Sequence, residues 1–208
     1  MNITIVRHGE TEWNIEKKFQ GQGNSNLTAL GKEQAEKVSV ALLKDKFDIM
    51  FSSDLERCRN TALIINKKLN LKLIEDKRIR ERNFGVIQGL TKEEIQYQYP
   101  DIYLKYITGS INFAVPGGES FSDLFYRVND FFDWLSVQPF YTRVLIVTHG
   151  GVLDCVIRKV MGLSLESNRC FSIYNTSINC ISVTEGYWKL ETWGNVSHLS
   201  DMKTIDDF

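Results

Sequence analysis

The sequence lacks an excess of either charge, a long apolar run, and cysteines at metal-ligand spacing. Its 208 residues carry 25 Lys and Arg against 26 Asp and Glu, for a formal net charge of -1. This balance gives no reason to expect nucleic acid or a membrane surface as a partner. No apolar run approaches the roughly 20 residues that span a bilayer, and we expect no signal peptide because the N-terminal segment begins directly with a strand pattern.

The four cysteines are widely spaced, and no C-x-x-C occurs among Cys58, Cys155, Cys170 and Cys180. We therefore expect free thiols in a cytoplasmic protein that holds no metal ion and needs no cofactor. Hydrophobic content of 43% and charged content of 25% are ordinary for a globular chain. The length suits one domain with a substantial core.

Strand-like and helix-like segments alternate along the chain. The apolar spacing predicts strands at about 3–6, 47–52, 71–75, 144–148, 179–184 and 188–192, and helices at about 28–43, 55–69, 91–99, 121–135 and 152–161. Thr28, and Ser53 or Asp54, are the expected N-caps, and Thr91 to Glu94 is a capping box. The alternation predicts an α/β fold, a three-layer sandwich in which helices flank a central, mostly parallel sheet. Residues 1–208 would form one domain, with about 91–120 as a lid or side wall.

Two of the predicted strands end in the same way, with a histidine followed by glycine. The first runs into Arg7, His8 and Gly9, and a later one into His149 and Gly150, although the chain has only three histidines. Ligands of open α/β sheets bind beyond the carboxyl ends of strands, so we expect both histidines at one site. A buried cation beside an imidazole is costly unless an anion is shared, which indicates a phosphate site. A neutral imidazole nitrogen can attack phosphorus.

Arg57, Glu81 and the glycine pair at 150–151 are further candidates. Arg57 lies in the first turn of a predicted helix, where a cation is unfavourable unless a bound anion compensates it. The amides of Gly150 and Gly151 offer a second anion cradle. Glu81 stands among arginines and suits a general acid and base. The alternatives are a solvent-exposed Arg57 and a surface ion pair at Glu81.

An ordered series of motifs over nearly the whole chain resembles the histidine phosphatase superfamily, also called the phosphoglycerate mutase-like family. The motifs are Arg7-His8-Gly9-Glu10-Thr11-Glu12-Trp13-Asn14, Leu27-Thr28-Ala29-Leu30-Gly31, Ser52-Ser53-Asp54-Leu55-Glu56-Arg57, Glu81-Arg82-Asn83-Phe84-Gly85, Gly89-Leu90, Pro116-Gly117-Gly118-Glu119-Ser120 and Thr148-His149-Gly150-Gly151. Each motif alone is weak evidence for this family, whereas the whole set in this order is highly specific for it.

The resemblance implies a phosphoglycerate mutase-like fold and a covalent mechanism. His8 would be transiently phosphorylated, and Glu81 would donate and accept the proton. The phosphoryl oxygens would be held by Arg7, Arg57 and His149, in a pocket lined by Asn14, Gln20, Gly21 and Gly150. Water would then release phosphate from the phosphohistidine. Such chemistry depends mostly on positioning and positive charge.

A phosphatase and a mutase are the two main alternatives. Mutases of the family carry a longer middle segment with a basic pair, whereas no Lys or Arg occurs here between Lys105 and Arg127. An aromatic wall suits an apolar or aromatic ester, and its expected members are Tyr97, Tyr99, Tyr103, Tyr106 and Phe113. The short form is similar to the family's broad-specificity and metabolite phosphatases. We therefore expect a phosphatase acting on a small phosphorylated metabolite.

Two hypotheses from other functional classes stay open. A metal site could combine His8 and His149 with Glu10 and Glu81, but the neighbouring arginines would repel a divalent ion. A phospho-ligand binding module without turnover would carry the same residues. The sequence leaves a homo-oligomer open and predicts only a structural or surface hydrogen bond for His198.

Overall fold

A six-stranded mixed sheet forms the centre of the computed structural model, which describes residues 1–108, 110–200 and 202. The strands are β1 (Asn2–Arg7), β2 (Ile49–Ser52), β3 (Leu73–Glu75), β4 (Arg143–Thr148), β5 (Ile178–Thr184) and β6 (Tyr187–Asn195). Their order is β3-β2-β4-β1-β5-β6. The pairs β3/β2, β2/β4 and β4/β1 are parallel, and β1/β5 and β5/β6 are antiparallel. The prediction of a mostly parallel central sheet is confirmed.

The register of the parallel strands sets the position of their carboxyl ends. Arg7 of β1 pairs with Thr148 of β4, and Ser52 of β2 pairs with Val147 of β4. Residues 8, 53 and 149 therefore leave the sheet at the same edge, from three adjacent strands. This edge is where ligands bind in open α/β sheets.

Helices cover both faces of the sheet. They are α1 (Glu12–Ile15), α2 (Ala29–Ala41), α3 (Glu56–Leu69), α4 (Lys92–Gln98), α5 (Pro100–Thr108), α6 (Phe121–Ser136) and α7 (Gly150–Met161). On β4, Val144 and Ile146 pack with the apolar residues of α6 and α7, whereas Leu145 and Val147 pack with those of α2 and α3. Alternate side chains of a strand point to opposite faces, so the central strands are apolar throughout. The three-layer prediction is confirmed.

Side-chain caps begin α2 and α4 at the residues that the sequence predicts, whereas the predicted cap of α3 is not formed. Thr28 accepts a hydrogen bond from the amide of Gly31, and Thr91 opens α4 with a capping box. The N-cap of α3 is Leu55 rather than the predicted Ser53 or Asp54. Both predicted caps have other partners: Ser53 Oγ lies 2.8 Å from His149 Nε2, and the Asp54 carboxylate pairs with Arg80. The tertiary contacts therefore replace the local cap.

The segment at about 91–120 packs on its own apolar cluster. Tyr99, Tyr103, Tyr106 and Phe113 contact a small core centred on Phe84, apart from the two clusters on the sheet. The prediction of a five-residue aromatic wall is wrong for Tyr97, which is 89% exposed. Helical spacing explains this, because Tyr97 lies two residues from the buried Ile95 and faces the opposite side of α4.

In the part of the chain that the structure describes, no helix has the length and apolar character to cross a membrane.

Candidate active site

The two motif histidines lie side by side at the carboxyl edge of the sheet. The ring centroids of His8 and His149 are 5.4 Å apart, with an angle of 62° between the planes. Adjacent parallel strands in the register described above bring them together. The sequence expectation that distant residues meet at this edge therefore agrees with the geometry.

His8 is held as one tautomer. Its Nδ1 lies 2.8 Å from the carbonyl oxygen of Gly9, which only accepts hydrogen bonds, so Nδ1 carries the proton and Nε2 carries the lone pair. Burial lowers the pKa of His8 well below its usual value, and the charges of Arg57 and Arg7 lower it further. The imidazole is therefore neutral at neutral pH, with a basic nitrogen available at Nε2.

Arg57 lies in the first turn of α3 and points at His8. Its Nε donates to His8 Nε2 at 3.3 Å, while Nη1 and Nη2 donate to the carbonyls of Gly23 and Gly21 at 3.0 and 2.7 Å. The side chain is 2% exposed, so the alternative of an arginine in solvent is wrong. A fixed cation at this point suits an anion bound beside the imidazole.

His149 lies deeper than His8. It is 0% exposed, and its Nε2 is 2.8 Å from Ser53 Oγ and 3.3 Å from Cys58 Sγ. Burial lowers its pKa well below the usual value, with smaller contributions from the positive groups around it. Burial also raises the pKa of the Cys58 thiol, so the sulfur is present as a thiol beside the ring.

Arg7 is the last residue of β1. Its Nη1 donates to the carbonyl of Ile173 at 2.6 Å, in the loop that leads to β5. The same loop holds the backbone at His8, because Asn175 Nδ2 donates to the His8 carbonyl at 3.1 Å. The guanidinium is 2% exposed and lines the same cavity as His8.

Glu81 is buried at the cavity wall and bound at both carboxylate oxygens. Oε1 accepts from the amide of Arg82 at 2.7 Å, and Oε2 accepts from the amide of Gly151 at 3.0 Å. The alternative of a surface ion pair is therefore wrong. The second bond uses the amide of Gly151, one of the two that we expected to bind phosphate, so the helix start orients the carboxylate instead.

A cavity of about 860 Å³ opens over these groups. Of the nine predicted site residues, seven line it: Arg7, His8, Asn14, Gln20, Gly21, Arg57 and Glu81. His149 and Gly150 are buried behind this lining. Asn14 Oδ1 accepts from the amide and hydroxyl of Thr11, both at 2.9 Å, which fixes the orientation of its amide group. The cavity therefore has a basic end that contains one neutral imidazole.

Several lining residues were missed by sequence reasoning. They are Trp13, Ile15, Lys17, Lys18, Phe19, Phe84, Asp154 and Arg169. Tyr106, which the sequence placed in the aromatic wall, also lines the cavity. Asp154 lies one helical turn after Gly150, a spacing that places it on the side of α7 facing the site and could have identified it. Arg169 lies in an irregular loop and carried no signal in the sequence.

Arg127 was also missed, and it holds the Glu81 segment from outside the cavity. Its Nη1 donates to the carbonyls of Arg78 and Arg80 at 2.8 and 3.0 Å, and its Nη2 donates to that of Glu81 at 3.3 Å. Glu119 forms an ion pair with the same guanidinium. Three backbone carbonyls within residues 78–81 are thus tied to α6.

Comparison with known proteins gives a consistent set of relatives. Residues 3–196 match the model of the histidine phosphatase superfamily, branch 1. A protein of Escherichia coli O1:K1 described as "probable phosphoglycerate mutase GpmB" is 33% identical over 212 residues, which cover 100% of this chain and 98% of that protein.

Solved structures extend the similarity to phosphatases. YhfR of Bacillus stearothermophilus has a TM-score of 0.87 at 28% identity, over 95% of this chain and 98% of that one. The alpha-ribazole phosphatase of Shigella flexneri has a TM-score of 0.87 at 28% identity, over 94% and 96%. A mycobacterial glucosyl-3-phosphoglycerate phosphatase has a TM-score of 0.79 at 27% identity, over 93% and 98%. With a family match over nearly its whole length, this chain belongs to branch 1 of the histidine phosphatase superfamily.

Proposed function

We propose that the protein is a phosphatase that hydrolyses small phosphate monoesters through a phosphohistidine on His8. The observation that carries the proposal is the tautomer of His8, because the hydrogen bond from Nδ1 to Gly9 leaves a lone pair on Nε2. Arg57 Nε lies 3.3 Å from that nitrogen, where it can bind an oxygen of the incoming phosphoryl group. Family membership and the phosphatase neighbours support the same reaction class.

The reaction proceeds in two displacements. In the first, His8 Nε2 attacks phosphorus, a P–N bond forms, and the bond from phosphorus to the ester oxygen breaks while Glu81 donates a proton to that oxygen. In the second, Glu81 takes a proton from water as the water oxygen attacks phosphorus and the P–N bond breaks. Inorganic phosphate leaves, and His8 and Glu81 return to their starting forms.

The surrounding groups stabilise the charge on the transferring phosphoryl group. Arg7 and Arg57 supply two fixed cations, and the neutral His149 donates a hydrogen bond. Asn14, Gln20, Gly21 and Gly150 complete the pocket. The burial of Gln20 Oε1, which has no hydrogen-bond partner in the described part of the chain, fits an amide that pairs when substrate binds. Charge that is fixed in advance stabilises the transition state without reorganisation.

A phosphoglycerate mutase is the second candidate, favoured by the name of the 33% identical relative. The same phosphohistidine would then pass its phosphoryl group back to a sugar acid instead of to water. The apolar part of the cavity, formed by Trp13, Phe19, Phe84 and Tyr106, supports the phosphatase, because a carbon-rich leaving group would bury more apolar surface there than phosphoglycerate.

The site chemistry does not suit a metal ion. Both oxygens of Glu81 accept backbone hydrogen bonds, and Glu10 accepts from the hydroxyl of Thr28 at 2.8 Å. Two arginines lie beside His8. We therefore propose that turnover needs neither metal nor cofactor.

We also propose that the chain forms a single domain in which residues 91–120 are a side wall. The cysteines are free thiols, which is the state expected in the reducing cytoplasm, and we propose that location for the protein.

The test combines substrate choice with trapping of the intermediate. The protein is incubated in chelator with p-nitrophenyl phosphate, and separately with 3-phosphoglycerate and a bisphosphoglycerate primer. The reaction is quenched in alkali, in which phosphohistidine survives, and the peptide that contains His8 is examined by mass spectrometry. We expect hydrolysis of the first substrate and phosphate on His8.

Other outcomes would contradict the proposal. Isomerisation of 3-phosphoglycerate would indicate a mutase, and activity lost to chelator would indicate a metal site. A His8→Ala variant should lose at least about 10³-fold in kcat. Full activity in that variant would exclude the covalent mechanism, and binding without turnover of any ester would indicate a phospho-ligand module.

A further inference from the structure

The loop at residues 116–120 packs against the chain directly after Glu81. The amide of Glu119 donates to the carbonyl of Asn83 at 2.9 Å. A Cβ at Gly118 would lie 2.5 Å from the same carbonyl oxygen, so the loop approaches this closely because residue 118 is glycine. The loop therefore contacts the backbone of the Glu81 segment without an intervening side chain.

Glu119 holds the two residues that follow Glu81. Its Oε1 accepts from the amide of Asn83 at 2.9 Å, and its backbone carbonyl accepts from Arg82 Nε at 3.0 Å. The amide of Arg82 in turn donates to Glu81 Oε1 at 2.7 Å. Glu119 thus fixes the residue that binds one oxygen of the Glu81 carboxylate.

The carboxylate of Glu119 also orients Arg127 of α6. Arg127 Nη2 donates to Glu119 Oε1, and its Nε donates to Oε2 at 3.3 Å. The same guanidinium donates to the carbonyls of Arg80 and Glu81 at 3.0 and 3.3 Å. Bonds between ionised partners are stronger than neutral ones, and the Glu119 side chain is only 18% exposed. Glu119 therefore acts on both sides of Glu81, directly on residues 82–83 and through Arg127 on residues 80–81.

We propose that Glu119 is a positioning residue for the proton transfers of Glu81. It acts through the backbone of residues 80–83, which sets where the Glu81 carboxylate lies relative to the ester oxygen. Proton transfer needs the acid within hydrogen-bond reach of that oxygen, so a small displacement of this backbone slows the step. The inference rests on the proposed function, because it assumes that Glu81 is the general acid and base.

The test compares kcat/KM for two esters that differ in their need for an acid. This constant covers the formation of the phosphohistidine, in which the benzyl alcohol oxygen of benzyl phosphate needs a proton, whereas p-nitrophenolate leaves as a stable anion. We expect Glu119→Ala to lower kcat/KM about 30-fold for benzyl phosphate and less than about threefold for p-nitrophenyl phosphate. A general loss of folded structure would lower both values equally.

Two further variants separate positioning from stability. Glu119→Gln keeps an acceptor for the Asn83 amide but removes the charge beside Arg127, so the ratio of the two kcat/KM values should change about fivefold. This variant decides the question if Glu119→Ala does not fold, which thermal melting shows. Asp130→Asn is the matched control, because Asp130 is 70% exposed and pairs with Arg78 at 3.0 Å, joining the same segment to the same helix. The control should keep the ratio of the unmodified protein.

A double variant tests whether Glu119 acts through Glu81. Glu81→Gln with Glu119→Ala should be no slower on benzyl phosphate than Glu81→Gln alone. Additive losses, equal losses on the two esters, or a ratio unchanged in the folded Glu119 variants would overturn the inference and leave the proposed function intact. A ratio unchanged in Glu81→Gln alone would overturn the acid–base role of Glu81, and the inference with it.

Discussion

At the scale of single residues, burial determines the protonation of both site histidines. Desolvation is the largest contribution to the lowered pKa of His8 and of His149, and the adjacent arginine cations add to it. A protonated imidazole would repel Arg57 and could not attack phosphorus. The burial that keeps His8 neutral and nucleophilic therefore also lowers the stability of the folded protein in acid.

We expect the free energy of unfolding to fall as the pH drops below about 6.5. The unfolded chain takes up a proton on each histidine near that pH, whereas the folded chain does not, because both folded pKa values are lowered. The unfolded state then holds more protons, so stability decreases on acidification by up to about 1.4 kcal/mol per pH unit for each histidine. The loss ends where the folded histidine itself becomes protonated.

Urea unfolding at a series of pH values measures this slope. His8→Gln, which keeps a hydrogen-bonding side chain but cannot titrate, should show a shallower decrease between pH 6.5 and 5. Comparison of the two proteins removes the contribution of carboxylates, which both share. Equal slopes would show that His8 is protonated at the same pH in both states.

At the scale of elements, the start of α7 connects the His149 strand to the carboxylate. Gly151 donates its amide to Glu81 Oε2, and a Cβ at residue 151 would overlap Glu81 Oε1. Glycine in a helix lowers its stability relative to alanine by up to about 1 kcal/mol. Its presence here is explained by the close approach of the carboxylate.

We expect Gly151→Ala to reduce kcat by about 100-fold while leaving the melting temperature unchanged or higher. The added methyl group displaces the far end of the Glu81 side chain rather than backbone, so the fold adapts, but a carboxylate moved by about 1 Å is poorly placed for proton transfer. The measurement is kcat for hydrolysis of an alkyl phosphate, because the leaving oxygen of such an ester needs a proton.

Glu81→Gln provides the comparison. If Gly151→Ala acts through the carboxylate, the double variant should be no slower than Glu81→Gln alone. Additive losses would mean that residue 151 affects the reaction by another route, such as the position of His149.

At the scale of the whole molecule, apolar packing on both faces keeps the strand ends in register. Phe131 of α6 is fully buried and packs edge-on against Phe51 of β2, with ring centroids 5.5 Å apart. Tyr126 lies on the same helix but is 69% exposed. The two positions therefore form a matched pair for separating core packing from helix propensity.

Phe131→Ala should lower the free energy of unfolding by roughly 3–5 kcal/mol, because it removes buried apolar surface and leaves a cavity. Tyr126→Ala should change it by less than about 0.5 kcal/mol. Chemical denaturation measures both, and kcat per folded molecule should stay unchanged in each. Similar losses in the two variants would contradict the assignment of the core to this face of α6.

Much of the fold followed from local patterns in the sequence. The alternation of apolar runs predicted the six strands, and the caps at Thr28 and Thr91 marked helix starts correctly. The ends of β1 and β4 identified His8 and His149, since a polar pair after a buried strand is a short-range signal. Arg57 and Glu81 were candidates from their positions in the chain, and the motif resemblance gave them roles and added Asn14, Gln20 and Gly21.

By itself, then, the sequence determined the elements, the fold class and the residue types suited to phosphoryl transfer, because periodicity and capping act over a few residues. Tertiary structure alone decided the tautomer of His8, the binding of Glu81 by the Gly151 amide, and the exposure of Tyr97. It also decided that Asp154 and Arg169 face the cavity. These features depend on which distant segments pack together, and such contacts arise from the register of the sheet and the packing of loops rather than from neighbouring residues in the chain.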